Sequence, residues 1–244
     1  MSLMFASEKL RADRDFVTEV VSLDGEALRF ASNALKMDRE IVLKSVKSRG
    51  TPDALAWAPA VMKRDREIAL AAVSAHGMAL QHVSNKLRAD REIVLTAVTE
   101  AGRALQFTTF ELASGREILL CAVRNCRFAL MYVPEELPFY REIVLAAVAE
   151  HGQALEYAPE EMKRDYEIVL TAACQHYKGI GHASKELKRS KNIALAAVQK
   201  DAHAFSRFSD ELHEDADVIP AALSQDPRKH GWHTYMLKDH ARSR

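Results

Sequence analysis

The chain has 244 residues, 48% of them apolar, and its 34 Lys+Arg balance its 34 Asp+Glu to a formal net charge of zero. That balance argues against a dedicated nucleic-acid or membrane-surface binder, and no run of 18 apolar residues marks a membrane span. Cys121, Cys126 and Cys174 make no disulfide framework, so an intracellular, reducing compartment is expected.

Residues 1–12 read as the tail of a repeat and carry no signal peptide. From Asp13 onward one segment recurs: Arg14–Val21, Arg39–Val46, Arg66–Val73, Arg91–Val98, Arg116–Val123, Arg141–Val148, Tyr166–Ala173, Lys191–Val198 and a degraded Ala216–Leu223. The residue before each copy falls at 13, 38, 65, 90, 115, 140, 165, 190 and 215, a spacing of 25 interrupted once by Thr51-Pro52. Self-similarity at this period marks a stacked array.

Numbering the repeat from 1 at Asp13, Asp38, Asp65, Asp90 and Asp165 stand at position 1 as helix N-caps. Glu40, Glu67, Glu92, Glu117, Glu142 and Glu167 at position 3 face the positive end of the helix dipole. Apolar residues at positions 4, 5, 6, 8 and 9 give a wide helical stripe, and the small residue at 8 suits close helix contact. Gly25, Gly50, Gly77, Gly102 and Gly152 at position 13 read as left-handed helix ends. A second, shorter helix follows with Ala-Leu at 15 and 16, then a ring at 18, such as Phe30, Trp57, Phe107 or Tyr157. Ser, Thr or Pro at 20 opens one last turn.

The pattern frays in places. The repeat from Asp38 holds the most basic patch, Lys44, Lys47, Arg49, Lys63 and Arg64, read as a solvated face before an anion-binding one. The repeat at 115–139 has Gly115 for its cap and Arg127 for its glycine, whereas 140–164 reads as regular. In 165–189, Tyr177–His182 carries two glycines and reads as a loosened turn, not a phosphate loop. Pro220 is expected to end the array. The tail holds Trp232 and Tyr235, which read as a terminal cap or as anchors for a partner.

His76, Cys126, His151 and His176 share position 12. Columns in a stack lie about 10 Å apart, too far for one zinc ion, so no metal or cofactor is expected. A Glu that recurs at position 3 in most repeats is not read as catalytic; with the Arg at position 2 it reads as a ladder between repeats. The ring at 18 reads as core rather than a base-stacking platform.

The pattern Asp-Arg-Glu-Ile-Val-Leu-x-Ala-Val, then Gly-x-Ala-Leu and Ser/Pro-x-x-Leu-Arg/Lys, resembles the helical repeat family called domain of unknown function forty-one-sixteen. The resemblance covers about residues 4–225, implies an all-helical array, and carries over no catalytic residue, substrate or cofactor. The expected fold is an all-α solenoid of eight to nine repeats over 1–226, each a long helix, a short helix and a turn, with 227–244 as cap or tail. Core and cap positions recur while positions 10–12, 14 and 17 vary, which suits a recognition surface. The leading reading is therefore a non-catalytic protein-binding or scaffolding module. Its candidate partner surface comprises Lys47, Arg49, His76, Arg124, Cys126, His151, His176, Trp232 and Tyr235. A nucleic-acid-binding helical repeat is the alternative, and an enzyme is the least favoured.

Overall fold

The computed structural model describes residues 3–48 and 53–225; Arg49, Trp232 and Tyr235 lie outside the described residues. All regular structure among the described residues is helical, and no helix there is long and apolar enough to cross a membrane. The chain divides into two compact units, Met1–Tyr140 and Arg141–Arg244.

The first unit stacks α1 (Arg14–Leu23), α2 (Arg39–Lys47), α3 (Arg66–Ala75), α4 (Arg91–Glu100) and α5 (Arg116–Asn125), each packed on the next. The caps explain where they begin. Asp38 accepts from the amides of Glu40 and Ile41, Asp65 from Glu67 and Ile68, and Asp90 from Glu92 and Ile93. Such a cap contributes about 1 kcal/mol. Gly115 makes no side-chain cap, yet α5 begins in register because its buried face is intact. That face is positions 4, 5, 8 and 9: Ile93, Val94, Ala97 and Val98 in α4 are fully buried, as are Leu119, Ala122 and Val123 in α5.

The shorter element is a 3-10 helix, at Gly25–Phe30, Ala54–Trp57, Gly77–His82, Gly102–Phe107 and Arg127–Tyr132. Its Ala and Leu, such as Ala79 and Leu80, close the core from the other side. Long helices form one layer and 3-10 helices the second, so the unit is an α-solenoid.

Two expectations about this layer need correction. Gly77, Gly102 and Gly152 are not left-handed, and the chain reaches the first two through extended backbone at position 12, with φ −150° at His76 and −146° at Ala101. Glycine is required by proximity instead. A Cβ on Gly77 would lie 2.3 Å from the Ala97 carbonyl oxygen of the next repeat, and one on Gly102 would lie 2.2 Å from that of Ala122. Nor are the rings at position 18 core. Trp57 is 40% exposed, and Phe30, His82, Phe107 and Tyr132 are only half-buried. The buried residue is the next one, as at Ala58, Val83 and Val133.

The second unit is built on α6 (Tyr140–Glu150), α7 (Tyr166–Gln175), α8 (Lys191–Lys200) and α9 (Val218–Gln225). Asp165 caps α7 through the amides of Glu167 and Ile168, while Ser190 gives α8 no side-chain cap. The repeat opening at Tyr140 is less regular than its sequence implied. Tyr140 replaces the cap, starts the helix itself and is buried. That burial, aided by Glu135, pushes its phenol up to about 12. Tyr177–His182 is not simply loosened: Gly179–His182 keeps a 3-10 turn and Ile180 fills the buried leucine's place. Pro220 does not stop α9. The helix starts late, at Val218, so proline sits in its first turn, where it is tolerated.

Candidate interaction surface

Because the core positions are spent on stacking, any site must lie on the strips of exposed side chains that the repeat lines up. The most regular strip runs along the N-terminal ends of the long helices. Arg14 donates to Asp38 at 2.9 Å and Glu40 at 2.6 Å, Arg39 to Asp65 at 2.7 Å and to Glu67, and Arg66 to Asp90 at 3.0 Å and to Glu92. Arg91 reaches Glu117. In the second unit Arg141 spans Asp165 at 2.8 Å and Glu167 at 2.7 Å, and Lys191 spans Asp215 at 3.0 Å and Asp217 at 2.5 Å.

Asp38, Asp65, Asp90 and Asp165 are thus each held twice, by their own helix amides and by the preceding repeat's cation. The Arg39 guanidinium keeps the Asp65 carboxyl below the usual carboxylate range against the opposing effect of burial, and Arg66 and Arg141 do the same to Asp90 and Asp165. The arrangement joins repeats, and the carboxylates of these pairs are already engaged. One rung is missing, and all its parts are missing together: Tyr166 stands for the arginine, Ser190 and Asn192 for the two acids.

A second strip lies on the outer face of the long helices. Leu43, Leu70, Leu95 and Leu120 at position 6 are half-buried. Shallow hollows open on this face, one of about 400 Å³ between Lys47 of α2 and Glu67, Leu70 and Ala71 of α3, another of about 530 Å³ along α5, lined by Leu120, Cys121, Arg124 and Asn125. Lys47 and Arg124, two of the predicted site residues, belong to this face.

The position-12 residues lie elsewhere, at the C-terminal ends of the long helices, where His76 reaches back to the preceding repeat and His176 closes its own turn. His76 Nε2 is 3.1 Å from the Ser48 carbonyl oxygen, and His176 Nδ1 accepts from the Lys178 amide at 3.1 Å. Cys126 and His151 occupy the same C-cap place after α5 and α6. The predicted set therefore splits between two edges. Around His176 an aromatic cluster forms: its ring stacks on Tyr177 at 4.8 Å, and Tyr177 meets His203 at 5.5 Å.

Residues the sequence reading passed over lie on the 3-10 layer. The Arg29 guanidinium sits 4.9 Å from the rings of both Phe30 and Trp57, tying successive position-18 rings together. His82 Nε2 meets Asp53 at 2.8 Å. The signal was a cation at position 17 beside a ring at 18. Its meaning depends on a contact across repeats, which spacing within one repeat does not reveal.

A family model described as a domain of unknown function (DUF4116) matches residues 1–36, 13–63, 65–113 and 140–188, more than half of the chain. No curated protein and no solved structure matches it.

Proposed function

The chain belongs to the family described as a domain of unknown function (DUF4116), and from that premise we propose that it is a non-catalytic protein-binding or scaffolding module whose outer long-helix face receives the partner. The observation that carries this reading is the row of half-buried leucines at position 6, set between half-buried and exposed positions that differ from repeat to repeat. At position 7 these are Lys44, Ala71, Thr96 and Cys121, and at position 10 Lys47, Ser74, Thr99 and Arg124. An apolar row rimmed by varied polar groups suits a protein partner. The hollows along it are open and shallow, which favours a protein surface over an enclosed small-molecule site.

The test is affinity capture with the full chain as bait, repeated with Thr96→Arg/Cys121→Arg. Both positions are only half-buried, so the variant is expected to keep the wild-type circular dichroism and melting temperature. A protein retained by the wild type and released by the folded variant supports the proposal. Capture of nothing, or capture indifferent to the substitution, overturns it.

A further inference from the structure

In the first compact unit the turn segments at positions 20–25 follow one another along one edge. The Ser32 amide donates to the Arg11 carbonyl oxygen at 2.9 Å and the Ser84 amide to that of Lys63 at 3.0 Å, tying these two turns to the ones before them. Along this edge the charge changes sign. In the segments 32–37, 59–64 and 84–89 the charged side chains are Lys36, Lys63, Arg64, Lys86 and Arg88; in 109–114 and 134–139 they are Glu111, Glu135 and Glu136. No segment among these five mixes the two signs.

The basic half holds a cavity of about 1020 Å³, lined by Lys63, Arg64, Lys86 and Arg88 around Val83 and Leu87. The acidic half carries Phe110, 75% exposed. Arg64, Lys86, Glu111, Glu135 and Glu136 are exposed and form no ion pair among the described residues.

We infer that a second copy of this chain docks on this edge across a two-fold axis. The basic half of each copy faces the acidic half of the other, and each Phe110 enters the other's cavity. A two-fold interface must be self-complementary, so every contact is made twice. An edge that is cationic at one end and anionic at the other meets that condition when turned on itself. A polyanion such as nucleic acid would gain at one half and be repelled at the other, and a uniformly basic protein the reverse. A chain of zero net charge also meets its own copy without long-range repulsion. An exposed aromatic paired with an apolar-floored, cation-rimmed cavity supplies the buried anchor that charges alone do not. This edge is distinct from the outer helix face, so the two proposals stand or fall separately.

The test is sedimentation velocity on the full chain over roughly 1–100 µM, at roughly 0.05 M and 1 M salt. The wild type is expected to dimerise at low salt, with association about 10-fold or more weaker at high salt. Arg64→Glu/Lys86→Glu and Glu135→Lys/Glu136→Lys are each expected to be folded monomers. Mixed in equal amounts they are expected to form a heterodimer, because one now offers an acidic edge and the other a basic one. Phe110→Ser is expected to weaken the wild-type dimer. A wild type monomeric throughout, a dimer indifferent to the substitutions, or a mixture that stays monomeric would each overturn the inference. So would a monomeric wild type that binds random-sequence RNA at low salt through Arg64 and Lys86.

Discussion

The junction between the repeats opening at Asp65 and Asp90 and the junction between those opening at Asp165 and Ser190 solve one problem differently. In the first, Arg66 clamps Asp90 and Glu92, and Gly77 lets the Ala97 carbonyl come within van der Waals contact. In the second, Tyr166, Ser190 and Asn192 leave no rung, and Tyr177 stands where glycine should be. Glycine appears two residues later, at Gly179, but a Cβ there would lie 2.6 Å from the Ala172 carbonyl oxygen of its own repeat and 2.9 Å from that of Gly152 in the preceding one, so it does not serve this junction. Yet α7 and α8 still pack directly, and Ile168, Val169 and Ala172 of one and Ile193, Ala194 and Ala197 of the other are fully buried. Burial of the apolar stripe is what stacking requires. The ion pairs and the glycine are devices that a junction can drop.

The largest expected effects break the glycine half of this comparison. Gly77→Ala forces a methyl against backbone that belongs to another helix and has nowhere to retreat. It should destabilise by about 2–3 kcal/mol, in the range of overpacked cores. Gly181→Ala meets nothing within 4 Å and should stay within about 0.5 kcal/mol of wild type, as open surface sites do. Urea denaturation of both variants reads the difference directly, and equal losses would refute proximity as the reason for glycine.

The same comparison shows what the sequence could disclose. Caps, buried stripe and period all lie within one repeat, so Asp65, Ile68, Ala72 and Leu80 could be placed from spacing alone. The purpose of Gly77 lies in Ala97, that of Arg29 in Trp57, and that of the turn charges in the segments stacked beside them. Each of these needs the rise and rotation from one repeat to the next, which a linear pattern does not contain. Tyr140 escaped for a related reason: the sequence marks the absent cap, but not the burial that follows. Of the candidate surface, Lys47 and Arg124 share a face through their common position 10, whereas the contacts of His76 with Ser48 of the preceding repeat and of His176 with its own turn are announced by no motif.

The caps give the next effect. Asp90→Ala removes two amide partners of α4 together with the acceptor of Arg66 and should cost about 1 kcal/mol. Ser190→Ala removes no cap bond and should change stability by less than about 0.5 kcal/mol. These carboxylates also set the acid limit. Asp65, Asp90 and Asp165 have folded pKa values below their unfolded ones, so their stabilisation is complete above the unfolded value of about 3.9 and fades as pH falls through the folded values. Asp90→Asn should therefore flatten the dependence of the urea midpoint on pH below about pH 4. Ser190→Ala should leave it unchanged, and an unchanged slope in Asp90→Asn would remove the rung from the acid response.

The smallest effect tests whether the rung works as a set. Tyr166→Arg alone places a cation opposite Ser190 and Asn192, which offer no carboxylate, so the melting temperature should stay within about 1 °C of wild type. Ser190→Asp alone should raise it by about 2–4 °C, because it adds a cap to α8 whether or not an arginine is present. With Tyr166→Arg, Ser190→Asp and Asn192→Glu combined, the gain should exceed the sum of the separate changes, since the geometry of Arg141 with Asp165 and Glu167 is then available one repeat further on. Salt sharpens the reading: the excess should vanish near 1 M, where exposed pairs are screened, while the cap contribution persists. A purely additive combination would mean that the rungs at Arg14, Arg39, Arg66 and Arg141 follow the stacking without reinforcing it, and that the cap bonds alone account for the recurrence of aspartate at the head of each repeat.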